Sequence, residues 1–514
     1  MMAASTPEAL FSARDLHQMA QSGIPPEEAA RQVEMFRHPP APTHVLRPCR
    51  LGDGIRVLTD ADKPRLRELA VQAAAAGRTS RFVPASGAAT RMFKDLLAFQ
   101  NEGKEGPEVQ TFFANLERFA FAEALAGAMA RAGLALERFL AEADRREILS
   151  FLLTSAGLSY ADLPKALILF HRDPAPAMPP RTAFEEHLVE AAMIHRRADG
   201  LCRLHVTVSP QHEARFRELV EIAGPRLGSR FDARFEVSFS HQEPATDTLA
   251  VDLENRPFRQ ADGALLFRPG GHGALLGNLA AWGRAGGDLV LLKNIDNVVP
   301  DGQKPRVNEW KQLLLGLLVD LTKHAHGLAA RLDWEGATPA LLDLGERFLA
   351  EELALPLPAA SPAERARRLA HRLDRPFRVC GVVPNTGEPG GGPFWVRSEE
   401  GEVSLQIVET SQLDRSSPEQ QAELAAATHF NPVDIVCSLR DRHSRPHDLD
   451  RHVDPGTVFF TEKSREGRPL KALERPGLWN GAMAGWNTVF VEIPKATFAP
   501  VKTVLDLLRP EHQG

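Results

Sequence analysis

Leu289-Val290-Leu291-Leu292-Lys293-Asn294-Ile295-Asp296-Asn297 is the stretch on which the fold turns. It opens with an unbroken apolar run, the pattern of a strand buried on both faces. The run stops abruptly in polar residues, with Asp296 where the strand would meet its loop. In open α/β sheets ligands sit beyond the carboxyl ends of the strands. A carboxylate placed there can hold a divalent cation against phosphate oxygens. Two small-residue stretches extend the reading: Ser86-Gly87-Ala88-Ala89-Thr90-Arg91 and Arg268-Pro269-Gly270-Gly271-His272-Gly273. The expectation is that all three meet at one nucleotide-phosphate site.

At 514 residues the chain is too long for one simple core, so two or three subdomains are expected. A hydrophobic content of 43% and a charged content of 25% are those of an ordinary globular protein. A net charge of -6 over this length argues against a general nucleic-acid surface. Cys49, Cys202, Cys380 and Cys437 lie far apart and form no CxxC pair, which suits a reducing cytoplasm. Met1 to Ile24 lacks an apolar centre and does not read as a signal peptide. No run is long and apolar enough for a membrane span.

Outward from the central stretch, the pattern alternates between strands and helices. Ala9 to Phe36 reads as two helices broken at Gly23-Ile24-Pro25-Pro26, and Asp60 to Ala76 as a helix capped by Asp60. Arg81-Phe82-Val83-Pro84 reads as a strand leading into the Ser86 loop, with a helix from Met92 to Phe99. Strand, tight loop and helix aim backbone N–H groups at phosphate. Glu105 to Ser155 has helical spacing, Leu163 to Phe170 strand character, and Thr182 to Met193 a capped helix. Strands follow at Cys202 to Val208 and Phe235 to Phe239, with helices at Gln211 to Ala223 and Asn308 to Gly327. Pro339 to Leu373 is a second helical insertion. Arg378 to Val383, Val403 to Val408, Asp434 to Leu439 and Thr488 to Ile493 read as strands of a mixed sheet, and Val501 to Leu508 as a closing helix. The expected organisation is an N-terminal helical region (1–78), a nucleotide-binding α/β core (79–335, with a helical insertion at about 100–158), a helical insertion (336–376), and a further part of the core with a C-terminal helix (377–514), the part to which the family resemblance given below assigns the sugar phosphate.

Each candidate has a plainer alternative. The Ser86 loop could be an ordinary turn; Arg91 and Lys94 favour phosphate, since both cations would face it from the helix start. Asp296 could cap the next turn beside Asn294 and Asn297. The glycines around His272 would let a flat ligand lie on bare backbone, or merely make a flexible turn. His443, His447 and His452 match no zinc spacing and are interleaved with Arg442, Arg445 and Arg451, so they read as a polar loop. Lys165, after Pro164, either turns to a pocket edge or snorkels at the surface.

Taken in order, these stretches resemble the UTP–sugar 1-phosphate uridylyltransferase (UDP-sugar pyrophosphorylase) family. Gly87-Ala88-Ala89-Thr90-Arg91-Met92 is similar to its glycine-rich loop, and Leu163-Pro164-Lys165-Ala166-Leu167 to its Pro-Lys strand. Gln242-Glu243-Pro244 resembles the base-reading segment, and Arg268 to Leu275 the Pro-Pro-Gly-His-Gly-Asp loop. Asn294-Ile295-Asp296-Asn297 equals the family's Asn-Ile-Asp-Asn. Ile407-Val408-Glu409, Phe430-Asn431-Pro432-Val433-Asp434 and Phe498 to Leu508, with its Pro-Val-Lys, follow in register. The chain also resembles a bacterial group known as DUF4301. It departs from the family in the alanines of the first loop and in Ala274, which replaces an acidic residue.

The resemblance implies a GT-A-like, Rossmann-type α/β/α sandwich with a mixed central sheet and helical insertions. It implies a nucleotidyltransferase that joins a nucleoside triphosphate, with UTP favoured, to a sugar 1-phosphate and releases pyrophosphate. Arg91, Lys94, Lys165 and Lys502 would supply positive charge. Ser86, Gly87, Ala88, Ala89, Thr90, Gln242, Pro269, Gly270 and Gly271 would bind the nucleotide. His272, Glu409 and Asn431 would contact the sugar phosphate. Asp296 and Asp434 would bind Mg2+. Two other functions fit the same resemblance: a GT-A glycosyltransferase, and a non-catalytic nucleotide-sugar-binding regulator, for which the alanine-substituted loop speaks.

Overall fold

Leu289–Leu292 is a strand buried at every position. It lies parallel to Thr79–Pro84, which is parallel to Leu201–Thr207, which is parallel in turn to Arg234–Ser240. Parallel neighbours need long crossovers, and the helices Ala183–Ile194 and Glu213–Phe231 are among those present. The computed structural model describes residues 6–141, 144–172, 178–387, 390–398, 401–414 and 416–513, with the backbone alone at 431–433.

The chain divides into two compact units. The second unit (Asp60–Ser240, Leu289–Leu317 and Ile493–Gly514) holds the parallel strands above. Its core is aromatic, with Phe93, Phe112, Phe119, Phe121, Tyr160 and Phe184 all buried. Each buried phenylalanine contributes about 1.5–3 kcal/mol of transfer free energy. The alanine- and leucine-rich stretch forms the helices Pro107–Ala114, Ala122–Arg131, Leu136–Ala141 and Arg145–Leu153, whose apolar faces complete this core. Ala183–Ile194 starts with a capping box between Thr182 and Glu185, and every residue in it but Met193 is buried. That burial includes Glu185, Glu186, His187 and Glu190, which apolar periodicity alone would not place inside.

The first unit comprises Met1–Thr59, His241–Asp288 and Leu318–Glu492. In it Gly54–Arg56 and Phe377–Pro384 flank Asn487–Glu492 in parallel, while His429–Ser438 joins Phe377–Pro384 antiparallel. The fold is therefore mixed α/β with a mixed sheet and inserted helices, as expected. An antiparallel sheet of Val45–Pro48, Gly392–Arg397 and Val403–Val408 lies in the same unit, as does the hairpin Phe459–Arg465/Arg468–Glu474. The helices Ala13–Ser22 and Pro26–Arg37 bury Met19, Val33 and Phe36 with Leu249, Val251 and Leu265. Arg259 anchors them through Asp15 at 2.7 Å.

Several local expectations are corrected. Leu163–Phe170 is not one strand: Lys165–Leu167 is a 3-10 turn, and the strand is only Leu169–His171. Pro164 lacks an N–H, and the Lys165 N–H is committed to Gly87. Val501–Leu508 is not an α-helix but a 3-10 segment from Val504, entered through a Thr503–Asp506 capping box. Asp60 does not cap the helix Asp62–Ala75; it pairs with Lys63 at 2.7 Å. The helix expected at Met92–Phe99 runs Lys94–Glu102, behind a 3-10 turn at Ala89–Arg91. All four cysteines are buried and free. Among the described residues no helix is long and apolar enough to cross a membrane.

Candidate functional site

In the second unit four of the expected stretches are stitched together by direct bonds. The Lys165 N–H donates to the Gly87 carbonyl at 3.1 Å, and the Ala89 N–H to the Leu163 carbonyl at 3.1 Å. The loop that leaves strand Thr79–Pro84 thus lies along the Lys165 turn. Lys165 Nζ donates to Asp296 Oδ2 at 2.8 Å and to the Val501 carbonyl at 2.7 Å. The Val501 N–H returns to the Asp296 carbonyl at 3.1 Å, and the Ala499 N–H donates to Asn297 Oδ1 at 2.9 Å. Asp506 Oδ2 accepts the N–H groups of Lys502 and Thr503 at 2.8 and 2.7 Å, fixing the segment just after Val501.

Ser86, Gly87, Ala88, Thr90, Arg91, Lys94 and Lys502 are exposed, and Ala89 is buried. A Cβ on Gly87 would meet nothing within 4 Å, so that backbone faces open space. The side chains of Lys165 and Asp296 keep 15% and 20% exposure. Arg91, Lys94 and Lys502 are thus an exposed cationic rim on the segments bonded to one partly open lysine–aspartate pair. Such a rim suits a polyanion.

Mg2+ at this site would need hard oxygen ligands. Among the described residues no cluster of three His, Cys, Asp or Glu could hold an ion. Asp296 Oδ2 is taken by Lys165. What remains fits an ion held through one carboxylate together with substrate phosphates, the usual habit of Mg2+. Asp434 is 1% exposed and sits within strand His429–Ser438 opposite Gly381, not at a strand end.

The first unit contains the remaining expected residues. After Pro269, the glycines are demanded by packing. A Cβ on Gly270 would lie 2.5 Å from the Thr246 carbonyl, and one on Gly273 would lie 2.1 Å from the Pro476 carbonyl. Gly271 has φ +73° and faces Glu474. Arg475 locks the loop: its N–H donates to the Gly270 carbonyl at 2.9 Å and its Nε to the Thr246 carbonyl at 2.8 Å. His272 Nδ1 accepts the Leu478 N–H at 2.9 Å, and the ring stacks on Trp479 at 4.4 Å. Burial lowers its pKa to about 4, so the ring is neutral, with its proton on Nε2. Gln242 Nε2 donates to Asp247 Oδ1 at 3.2 Å, which identifies its other amide atom as the acceptor oxygen. Glu409 caps the turn Thr410–Gln412 through reciprocal bonds with Gln412. The side chain of Asn431 lies outside the described residues; its backbone belongs to His429–Ser438. In the histidine-rich loop, Arg445 pairs with Asp441 and Arg451 with Asp448, which agrees with a polar loop.

Sequence reasoning passed over Arg81, His187, Asp247, Arg475, Trp479 and Asp506. Only Asp506 left a signal, as the N3 partner of Thr503 in a capping box.

A family model described as "Domain of unknown function (DUF4301)" matches residues 12–513. No curated protein matches the chain. Among solved structures, the chain is similar to a UDP-glucose pyrophosphorylase mutant from Leishmania major in complex with UDP-glucose, at 14% identity and a TM-score of 0.46, covering 97% of this chain and 79% of that one. It is similar to the uridine diphosphate N-acetylglucosamine pyrophosphorylase from Trypanosoma brucei in complex with inhibitor, at 13% identity and a TM-score of 0.47, with coverage of 97% and 79%. A protein from Entamoeba histolytica whose structure is described as a UDP-N-acetylglucosamine pyrophosphorylase shares 9% identity at a TM-score of 0.43, with coverage of 88% and 83%.

Proposed function

The chain belongs to the DUF4301 family, and from the chemistry of its own residues we propose that it is a sugar-1-phosphate nucleotidyltransferase. It takes a nucleoside triphosphate, UTP by preference, and a sugar 1-phosphate, and forms an NDP-sugar and pyrophosphate. One observation carries this reading: Lys165 bonds both Asp296 and the Val501 carbonyl next to Lys502, while its backbone holds the Gly87 loop. The stretches that resemble a nucleotidyltransferase in sequence are, in this unit, one bonded assembly. The matching order of the remaining motifs, Asn294-Ile295-Asp296-Asn297 above all, supports it.

The chemistry asks little covalent work of the protein. A phosphate oxygen of the sugar phosphate attacks the α-phosphorus in line, the bond to the β-phosphate breaks, and pyrophosphate leaves. Crowded anions must be brought together and aligned. Arg91, Lys94 and Lys502 offset phosphate charge at the rim, and the open backbone at Gly87 lets phosphate approach. Lys165 directs its ammonium at Asp296, in the loop beyond the strand. Mg2+, held by Asp296 and the substrate phosphates, would supply further charge neutralisation. In the first unit, the amide oxygen of Gln242 is chemically suited to accept a base N–H such as that of uracil N3.

The test is pyrophosphate release with magnesium across the four common NTPs and a panel of sugar 1-phosphates. A product signal with a UTP preference supports the reading. Nucleotide binding with no pyrophosphate release across the panel would overturn it.

A further inference from the structure

A chain of hydrogen bonds runs beneath the loop that carries Asp296. Arg81 Nη1 donates to Glu190 Oε2 at 2.7 Å and to His187 Nδ1 at 2.9 Å, and His187 Nε2 lies 3.2 Å from the Ile295 carbonyl. Arg81, His187 and Glu190 are all 0% exposed. The direction of the chain follows from the groups themselves. A guanidinium only donates, so Nδ1 must accept, and the neutral ring then carries its proton on Nε2. That proton can go only to the Ile295 carbonyl, one residue before Asp296. Burial, with the Arg81 charge beside it, keeps the ring neutral.

The relay has an unusual start and finish. Arg81 lies on strand Thr79–Pro84, which leads into the Ser86–Arg91 loop. Ile295 lies in the loop after strand Leu289–Leu292. Both loops therefore share one buried reference point on helix Ala183–Ile194. The same helix pins the ends of the Asp296 loop. Lys293 Nζ lies 3.4 Å from Glu190, and Lys304 Nζ bonds Glu186 at 2.5 Å and the Val299 carbonyl at 2.6 Å. Glu186 and Glu190 stand one helical turn apart.

Stability is a poor explanation for this cluster, because the desolvation of buried charges offsets much of their attraction. Arg81 itself leaves Nε and Nη2 buried without a hydrogen-bond partner. What such a network does supply is direction. We infer that the Glu190–Arg81–His187–Ile295 relay is a positioning device that sets the Asp296 loop relative to the Ser86–Arg91 loop, with His187 as its last link. The inference rests on the proposed function only in taking those two loops as the reacting ones.

The decisive variant is His187→Asn. Its amide oxygen can stand in for Nδ1 and keep Arg81 paired, but it offers no donor at the Nε2 position. His187→Gln, whose longer amide can reach the Ile295 carbonyl, is the rescue. Amide hydrogen exchange is read in nucleotide-free protein. In the Asn variant, exchange at 293–298 should rise about tenfold, the worth of one hydrogen bond, with strand 79–84 unchanged. The Gln variant should return most of that protection. Turnover in the Asn variant should fall mainly through kcat, with KM for the nucleotide nearly constant. Unchanged exchange at 293–298, equal acceleration throughout the second unit, or a Gln variant as labile as the Asn one would each overturn the relay. Exchange does not depend on turnover, so an inactive wild-type chain would overturn the proposed function while the relay stood or fell on its own result.

Discussion

Gly87 and Gly273 sit in loops that look alike in sequence, and space separates their roles. A Cβ at Gly273 would collide with the Pro476 carbonyl, whereas one at Gly87 would meet nothing. Gly273→Ala should therefore cost about 1–3 kcal/mol in urea unfolding, as overpacking does. Gly87→Ala should leave the unfolding midpoint within about 0.5 kcal/mol of wild type and weaken UTP affinity, which calorimetry would measure. Unchanged affinity would remove that backbone from the phosphate site. Lys165→Met should lower turnover by about 10²–10³-fold, the scale of losing one well-placed charge contact, with circular dichroism unchanged. The sequence could suggest that Lys165 turns inward. It could not reveal that the lysine meets Asp296 and Val501, because those partners lie far along the chain. Likewise, the segment that fills the glycine faces around His272 is some two hundred residues downstream, so a loop that reads as a bare platform proves to be packed.

Elements were legible where their own residues suffice to form them. Leu289–Leu292 is apolar throughout and buried throughout. Thr182 marked a helix start, and the structure completes it as a capping box with Glu185. Thr182→Ala should cost about 0.5–2 kcal/mol, readable as a lower denaturant midpoint at constant slope. A larger loss would mean that the freed Glu185 carboxylate, 3% exposed, also suffers. Elements made by tertiary partners were not legible. Gly54–Arg56 is three residues long and exists as a strand by pairing with Asn487–Glu492. The hairpin Phe459–Arg465/Arg468–Glu474 is rich in charge and largely exposed along its first strand, so it lacks the buried alternation that marks a strand. Lys165–Leu167 and Val504–Leu508 had the composition of a regular strand and helix. Pro164 at one, and the Asp506 side chain bonding backbone at the other, favoured tight turns instead.

For the molecule as a whole, neutral histidines held inside the fold set the expected response to acid between pH 7 and pH 4. Burial lowers the pKa of His272 and His205 to about 4 and that of His512 to about 3, and lowers those of His187 and His195 as well. The folded pKa lies below the unfolded value near 6.5, so each contributes stability that is complete above about pH 6.5. That contribution is lost as pH falls through the folded pKa. For His272 alone the loss is on the order of 3 kcal/mol. Urea midpoints should decline steadily from pH 7 to pH 4, before most carboxylates titrate; a flat profile over that range would show these rings to be solvated. The mixed α/β class was readable from alternation along the chain, and the buried charge on helix Ala183–Ile194 was not, since nothing local marks a glutamate for the interior. The sealed cysteines have a practical consequence. Because Cys49, Cys202, Cys380 and Cys437 are all buried, a thiol-directed dye should find no quick target on the native protein. A cysteine introduced at exposed Arg91 or Lys94 would then be the site that reacts first, so a single fluorophore could be set on the rim without stripping the native thiols, and slow release of the buried four would time global opening in the same cuvette.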